Sequence, residues 1–322
     1  MTHLTWVIGA GGLLGGAVSS AVARRPASRL VPGPPLPWSN DGAFAGAAEA
    51  TADRFLAELR PGDDWAVVWA AGAAVTSSTA EALDRELDQF TLVLDAIGRV
   101  AERRGCASTG AVFYASSAGG VYGGSAHPPF DEDTVPVPLG GYGRFKLAAE
   151  ERLFDFSEAT GVSVLAGRIA NLYGPGQKLH KMQGLISHLA KAQFSPAPAS
   201  IFVPLDTIRD YIFITDCAEL VLDTIDRLLA ESAMRGRVRV VKNIASGQAV
   251  TISNLLGHLR SLAKGHPHVM LGSSAEASLQ GLDLRVTSTV WTELDRRDLT
   301  PLPAGIKATM DDVLVHILAG RA

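Results

Sequence analysis

The chain has 322 residues, 47% of them hydrophobic and 19% charged, and a formal net charge of −4 at pH 7. That is enough ordinary globular sequence for one large domain, or for one large domain carrying a smaller second one, around a sizeable core. A net negative balance offers no basic field for nucleic acid or anionic lipid, and two cysteines without metal-type spacing, Cys106 and Cys217, exclude a disulfide framework.

Thr5 to Ile8 is a short β-prone run that ends in glycines, and Leu13 to Arg25 has helical composition. No basic region precedes this first apolar stretch, so a secretory leader is not expected. From Arg29 to Trp38 the chain holds Pro32, Pro34, Pro35 and Pro37. Proline cannot donate to a ladder, so a second strand here must be very short or at an edge. Asn40 to Leu59 reads as an Ala-rich helix, and Trp65 to Ala71 as the continuous apolar strand that a parallel sheet needs. The longest apolar runs, such as Trp65 to Val75, are too short and too rich in Ala and Gly to span a bilayer. A cytoplasmic protein with a small-molecule partner is therefore expected.

Leu83, Leu87, Phe90, Leu94 and Ile97 fall at helical spacing within Glu81 to Arg104. Ala111 to Ala115 is another buried strand, followed by small residues. Asp131-Glu132-Asp133 reads as a solvated acidic turn before a helix over Tyr142 to Thr160. Ser163 to Arg168 is a strand, Asn171 to Gln177 a glycine–proline loop, and strand–helix alternation continues through Ile244. Ser253 to Ala263 and Thr309 to Leu318 read as late helices, and Cys217 as a core residue. Alternating β and α segments predict an α/β fold with a parallel sheet covered on both faces. His127 and His180 lie in loops without a partner pattern, and no metal is expected.

The first strand leads into Gly9-Ala-Gly-Gly-Leu-Leu-Gly15, with Gly9, Gly12 and Gly15 three apart. Gly9 allows a tight turn, Gly12 lets backbone approach a pyrophosphate, and Gly15 lets helix and strand pack closely. The helix N-terminus adds N–H groups and partial positive charge for phosphates. Gly9, Gly11, Gly12, Leu13, Leu14 and Gly15 are thus candidate dinucleotide ligands. About 20 residues on, an acidic residue usually holds the adenosine ribose of NAD; here the chain reads Leu30-Val-Pro-Gly-Pro-Pro-Leu36 without a carboxylate. Arg24, Arg25 and Arg29 either meet the 2′-phosphate of NADP or form a solvated helix end, and NAD and NADP both stay open.

Tyr142 and Lys146 are four apart on one helix face. A nearby ammonium favours a phenolate, so such a tyrosine can exchange a proton with a sugar or alcohol oxygen while hydride moves to or from a nicotinamide. Ser116-Ser117, at the end of a buried strand upstream, can orient the substrate oxygen. With these motifs the sequence resembles the extended short-chain dehydrogenase/reductase family, the NAD-dependent epimerase/dehydratase group of nucleotide-sugar enzymes. The resemblance also rests on Trp69-Ala-Ala-Gly72, Ser116-Ser-Ala-Gly-Gly-Val-Tyr-Gly123, Arg168-Ile-Ala-Asn-Leu-Tyr-Gly-Pro-Gly-Gln177, Arg209-Asp-Tyr-Ile-Phe-Ile-Thr-Asp216 and Asn243-Ile-Ala-Ser-Gly247.

The resemblance implies a Rossmann-type doubly wound sheet in residues 1–177, also receiving 207–245, and a smaller substrate-binding domain from 178–206 and 246–322. It implies Tyr142 as general acid/base, Lys146 holding the tyrosine and the nicotinamide ribose, and Ser117 as the catalytic hydroxyl with Ser116 in reserve. Ala70, Ala71, Gly72, Ser116 and Ile169 would line the cofactor. Ala118, Asn171 and Arg209 would meet the substrate, arginine being suited to phosphate oxygens in pairs. The competing reading of Arg209-Asp210 is a structural ion pair. Relatives that remove water carry an Asp-Glu pair after the catalytic hydroxyl; here Ala118-Gly119 or Gly119-Gly120 stands there, which disfavours dehydration. A nucleotide-sugar epimerase or keto-sugar reductase, working as a homodimer through the Glu81–Arg104 and Tyr142–Thr160 helices, is the leading expectation. An NADP-dependent reductase of a non-sugar carbonyl and a non-catalytic dinucleotide sensor are the alternatives.

Overall fold

The computed structural model describes residues 2–179, 184–195, 197–263, 268–272 and 281–320; His180, named above, lies outside them. In chain order the elements are β1 (His3–Ile8), α1 (Leu13–Arg24), β2 (Ser28–Leu30), α2 (Asp41–Leu56), β3 (Asp64–Trp69), α3 (Ala80–Arg104), β4 (Gly110–Ser117) and α4 (Ala118–Val121). Then come α5 (Gly141–Thr160), β5 (Ser163–Ile169), β6 (Asn171–Tyr173), α6 (Leu185–Gln193), β7 (Ala199–Ile201), β8 (Ile208–Phe213) and α7 (Ile214–Arg235). The chain ends with β9 (Arg239–Ile244), β10 (Ala249–Thr251), α8 (Ile252–Leu262), β11 (Val269–Leu271), β12 (Asp283–Leu284) and α9 (Leu302–Leu318). It divides into two compact units: Met1–Ser116, Arg144–Arg168 and Ala218–Lys242 form one, and Ser117–Gly143, Ile169–Cys217 and Asn243–Ala322 the other.

The first unit is built on a six-stranded sheet in the order β2-β1-β3-β4-β5-β9. β1 pairs in parallel with β2 and β3, and β3 with β4. As the prolines require, β2 has three residues and stands at the edge. The long apolar runs of β3, β4 and β5 are buried on both faces, as crossover helices demand. Trp6, Trp65, Trp69, Phe44, Phe90 and Tyr114 form the aromatic centre of the core that α2 and α3 cover. α3 is delimited by its ends: Thr79 Oγ1 accepts from Ala82 N–H, and Gly105, at φ 65°, closes the helix with bonds to Ala101 and Glu102 carbonyls.

The second unit gathers β10, β8 and β12 in one ladder with β6 on β8, and β7 with β11 in another. α6, α8 and α9 bury Leu189, Leu255, Leu259, Ile306 and Met310 with Tyr173 and Tyr211. Its Ser117–Gly143 segment corrects the expectation of a solvated acidic turn. The Glu132 carboxylate accepts from Asn243 N–H (2.7 Å), Ser288 Oγ (2.5 Å), Thr289 N–H (2.8 Å) and Thr289 Oγ1 (3.0 Å), while Asp131 accepts from Thr134. A carboxylate has about four lone-pair sites, and Glu132 uses them to tie together segments more than 100 residues apart. Cys217 is fully buried, and burial pushes its thiol up.

Candidate active site

The glycine turn is where β1 meets α1. Gly9 has φ +94°, and a Cβ there would lie 2.5 Å from Ala71 N. A Cβ on Gly15 would lie 2.2 Å from the Gly9 carbonyl oxygen, so helix and turn touch through bare backbone. Gly12 caps α1 without a side-chain bond, no acid stands in the first turn, and Gly11 and Gly12 are exposed. First-turn N–H groups are therefore left to a ligand. Leu13 is half-buried, and Leu14 and Gly15 are buried behind the turn. Ala70 and Ala71 are half-buried in the loop after β3, and Gly72 beside them is exposed. Glu86 holds that loop, its Oε2 accepting from Ala73 N–H (2.9 Å) and Ala74 N–H (3.0 Å).

The three arginines weighed for a 2′-phosphate are elsewhere. α1 runs about 18 Å back from the glycine turn, which carries Arg24 and Arg25 toward the N-terminal ends of the strands. There Arg25 bonds Glu219 (2.9 Å), Asp223 (2.6 Å) and Asp226 (2.8 Å), Arg24 bonds Glu219 (2.9 Å), and Arg29 bonds Glu58 (3.0 Å) just past the end of α2. Arg24 and Arg25 are thus held by α7 carboxylates away from the glycine turn, and Arg29 by Glu58.

Ser116 and Ser117 end β4, and strand alternation turns them to opposite faces. Ser116 is buried, and its Oγ donates to Glu150 Oε1 at 2.5 Å. Arg168 clasps the same carboxylate, Nε to Oε1 at 3.1 Å and Nη2 to Oε2 at 2.7 Å. Ser117 instead is half-buried and caps α4, accepting from Gly120 N–H at 3.2 Å. Gly120 is the pivot of the site. A Cβ there would lie 3.1 Å from Tyr142 Cε1 and 3.3 Å from Ser117 Cβ, so serine and tyrosine flank one glycine. The start of α5 approaches more closely still, since a Cβ on Gly143 would lie 2.0 Å from the Gly120 carbonyl oxygen. Lys146, one turn along α5, is buried; its Nζ donates to Ala115 O (3.0 Å) and Tyr114 Oη (3.2 Å) and lies 4.9 Å from the Tyr114 ring centroid.

Ala118 is buried, with 1% of the residue exposed. Ile169 is buried at the end of β5. Asn171 is exposed, and its Nδ2 donates to Asp210 O at 2.9 Å, tying β6 to β8. Arg209 and Asp210 are not an ion pair with each other. Asp210 accepts from Ser246 N–H (2.9 Å) and Ser246 Oγ (3.1 Å), with burial raising its carboxyl. Arg209 points the other way, donating to Ile208 O (2.9 Å), and burial lowers its guanidinium. Sequence reasoning missed Glu150, Glu86 and Arg168. Glu150 had a signal: Tyr142, Lys146 and Glu150 form a polar stripe at i, i+4 and i+8 on an otherwise apolar helix face.

Among the described residues no helix is long and apolar enough to cross a membrane, and no group of three or more His, Cys, Asp or Glu is placed to hold a metal. A parallel sheet whose first strand runs through bare glycines into a helix N-terminus defines a dinucleotide-type α/β fold. The chain belongs to the NAD dependent epimerase/dehydratase family, whose model matches residues 6–234. It is 32% identical over 146 residues to dTDP-4-dehydro-6-deoxyglucose reductase of Escherichia coli, covering 45% of this chain and 43% of that protein. The chain thus spans under half the length of that curated relative. Over 98% of this chain and 100% of the other, the fold matches UDP-glucose 4-epimerase of Thermotoga maritima with UDP-glucose (TM-score 0.76, 18% identity). Over the same shares it matches RMD of Pseudomonas aeruginosa complexed with NADPH (TM-score 0.76, 22% identity).

Proposed function

We propose that this chain is an NAD(P)-dependent enzyme that epimerises or reduces a sugar-ring carbon of a nucleotide sugar. The observation that carries the reading is the meeting of Ser117 and Tyr142 around Gly120, with Lys146 one helical turn from the tyrosine. The glycine cradle of Gly9 and Gly15 fits a dinucleotide, because any Cβ there collides with backbone. Gly11, Gly12 and the first N–H groups of α1 would hold its pyrophosphate, and Ala70, Ala71, Gly72, Ser116 and Ile169 would border it. A bound nicotinamide supplies or accepts the hydride.

Tyr142 Oη exchanges the proton at the sugar oxygen, and Ser117 Oγ orients that oxygen by a hydrogen bond. Lys146 anchors the start of α5, its bonds to Ala115 O and Tyr114 Oη locking its position. Arg209 and Asn171 serve the substrate's diphosphate or sugar. The similarity to a dTDP-sugar reductase and to a UDP-sugar epimerase supports a nucleotide-sugar substrate. A cytoplasmic homodimer paired through α3 and α5 completes the reading.

A thermal-shift panel of UDP- and dTDP-sugars with NAD or NADP tests it. A ligand of the folded state raises the melting temperature by mass action. Stabilisation by at least one nucleotide sugar is expected; a panel in which only cofactor stabilises refutes the substrate class.

A further inference from the structure

The loop after β2 joins the edge strand of the sheet to α2, and its role below rests on the dinucleotide-binding reading above. Val31 to Trp38 carries no carboxylate, and space for one at Gly33 is taken: a Cβ there would lie 2.7 Å from Thr51 Cγ2 and 2.8 Å from Trp6 Nε1. The loop leads into the N-terminus of α2, at the edge of the sheet that holds the glycine turn. Its far end is held by one exposed ion pair. Arg85 donates to Asp41 Oδ1 through Nε (3.0 Å) and Nη2 (2.9 Å), and Nη2 also donates to Trp38 O (2.9 Å). Gln89 Nε2 braces the same carbonyl at 2.9 Å. The Trp38 indole leans on Trp69 (5.9 Å between centroids) and Phe44 (5.3 Å), with 38% of the residue exposed.

We propose that the Asp41–Arg85 pair sets the choice between NAD and NADP in this chain and, by presenting both signs at once, admits both cofactors. NAD offers a hydroxyl at the adenosine 2′-position, which donates to a carboxylate such as Asp41. NADP offers a phosphate there, which a guanidinium fork binds and a carboxylate repels. Side-chain exposures of 46% for Arg85 and 67% for Asp41 mean that the pair exchanges partners with little loss. A 2′-phosphate can take the fork from Asp41, and a 2′-hydroxyl can share the carboxylate without displacing it. The exposed indole of Trp38 offers the adenine an apolar surface beside them.

The test is equilibrium titration of NADH and NADPH onto the purified full chain, followed by nicotinamide fluorescence, with no turnover required. The wild type is expected to bind both within about tenfold. Arg85→Gln leaves the carboxylate uncovered and should weaken NADPH relative to NADH by about fivefold. Asp41→Asn frees the fork and should shift the ratio about fivefold the other way, with a steeper salt dependence for NADPH. Both side chains are on the surface, so melting temperatures near that of the wild type are expected. A ratio that stays within about twofold in both variants, or that moves the same way in both, overturns the assignment while leaving dinucleotide binding intact. A wild-type preference beyond about tenfold overturns it too. If the wild type binds neither dinucleotide, the assignment and the functional reading fall together.

Discussion

Replacing Glu150 with leucine removes the acceptor shared by Arg168 and Ser116. Side-chain exposures of 4% for Glu150 and 7% for Arg168 put the pair in a low-dielectric interior, where its two-pronged geometry offsets the cost of dehydrating both ions. Removing one partner of such a pair costs about 3–5 kcal/mol, and the Ser116 hydroxyl loses its 2.5 Å acceptor as well. Against a typical total of about 5–15 kcal/mol for a folded protein, this is a large fraction. It corresponds to a fall in melting temperature of roughly 6–10 °C at about 2 °C per kcal/mol in a chain of this size. Urea unfolding followed by the emission of Trp65 and Trp69, which lie in the same core, measures it. Adding Arg168→Leu should return part of the loss, because the guanidinium then leaves with its partner and the double variant costs well under the sum of the singles. A single variant that loses less than about 1 kcal/mol, or an additive double, refutes the account of Glu150 as a buried clamp.

Tyr142→Phe should lower turnover on the nucleotide sugar by about 10²–10⁴ and leave NAD(H) binding within twofold; full turnover in this variant rules out Tyr142 as the proton donor. Gly15→Ala places its Cβ 2.2 Å from the Gly9 carbonyl oxygen. It should destabilise the fold by about 1–3 kcal/mol and raise the dissociation constant for either dinucleotide, both read by titration and urea unfolding. His3 gives a pH signature: burial, reinforced by Arg25 and opposed by Asp64, holds its imidazole down to about 4 from 6.5. The unfolded chain therefore takes up the proton first. Stability should fall by about 3 kcal/mol as pH drops from about 6.5 to about 4, then level off. Comparing wild type with His3→Gln at both pH values isolates that component, and parallel curves would show that His3 does not supply it.

Much of this was readable from local pattern. The prolines from Pro32 to Pro37 announce the truncated edge strand β2, because a missing N–H acts on its own residue and needs no partner elsewhere. The three-residue spacing of Gly9, Gly12 and Gly15 and the four-residue spacing of Tyr142 and Lys146 are likewise local. Features that depend on distant partners were not readable. Arg24 and Arg25 look like candidates for a phosphate until α7 brings Glu219, Asp223 and Asp226 to them from about 200 residues away. Glu132 looks solvated until Asn243 and Thr289 arrive. Ser116 and Ser117 are equivalent in composition. Only the packing of β4 against Glu150 sends one inward and leaves the other beside Tyr142. Asp41 and Arg85 sit 44 residues apart, and neither is remarkable until the ends of α2 and α3 come together.

The discontinuity of the first unit constrains its synthesis. β5 is apolar and buried along its length, and its outer neighbour in the sheet is β9. The ribosome must add roughly 70 residues between Ile169 and Arg239 before that neighbour exists, about 4–14 s at about 5–20 residues per second. Through that interval the nascent chain carries an uncapped strand edge, the kind of surface that recruits other chains. The carboxylates of α7 that neutralise Arg24 and Arg25 are also still unmade. Expression yield should therefore respond to translation speed between codons 170 and 240 far more than to speed elsewhere, since the last strand to be made is the one that closes the sheet.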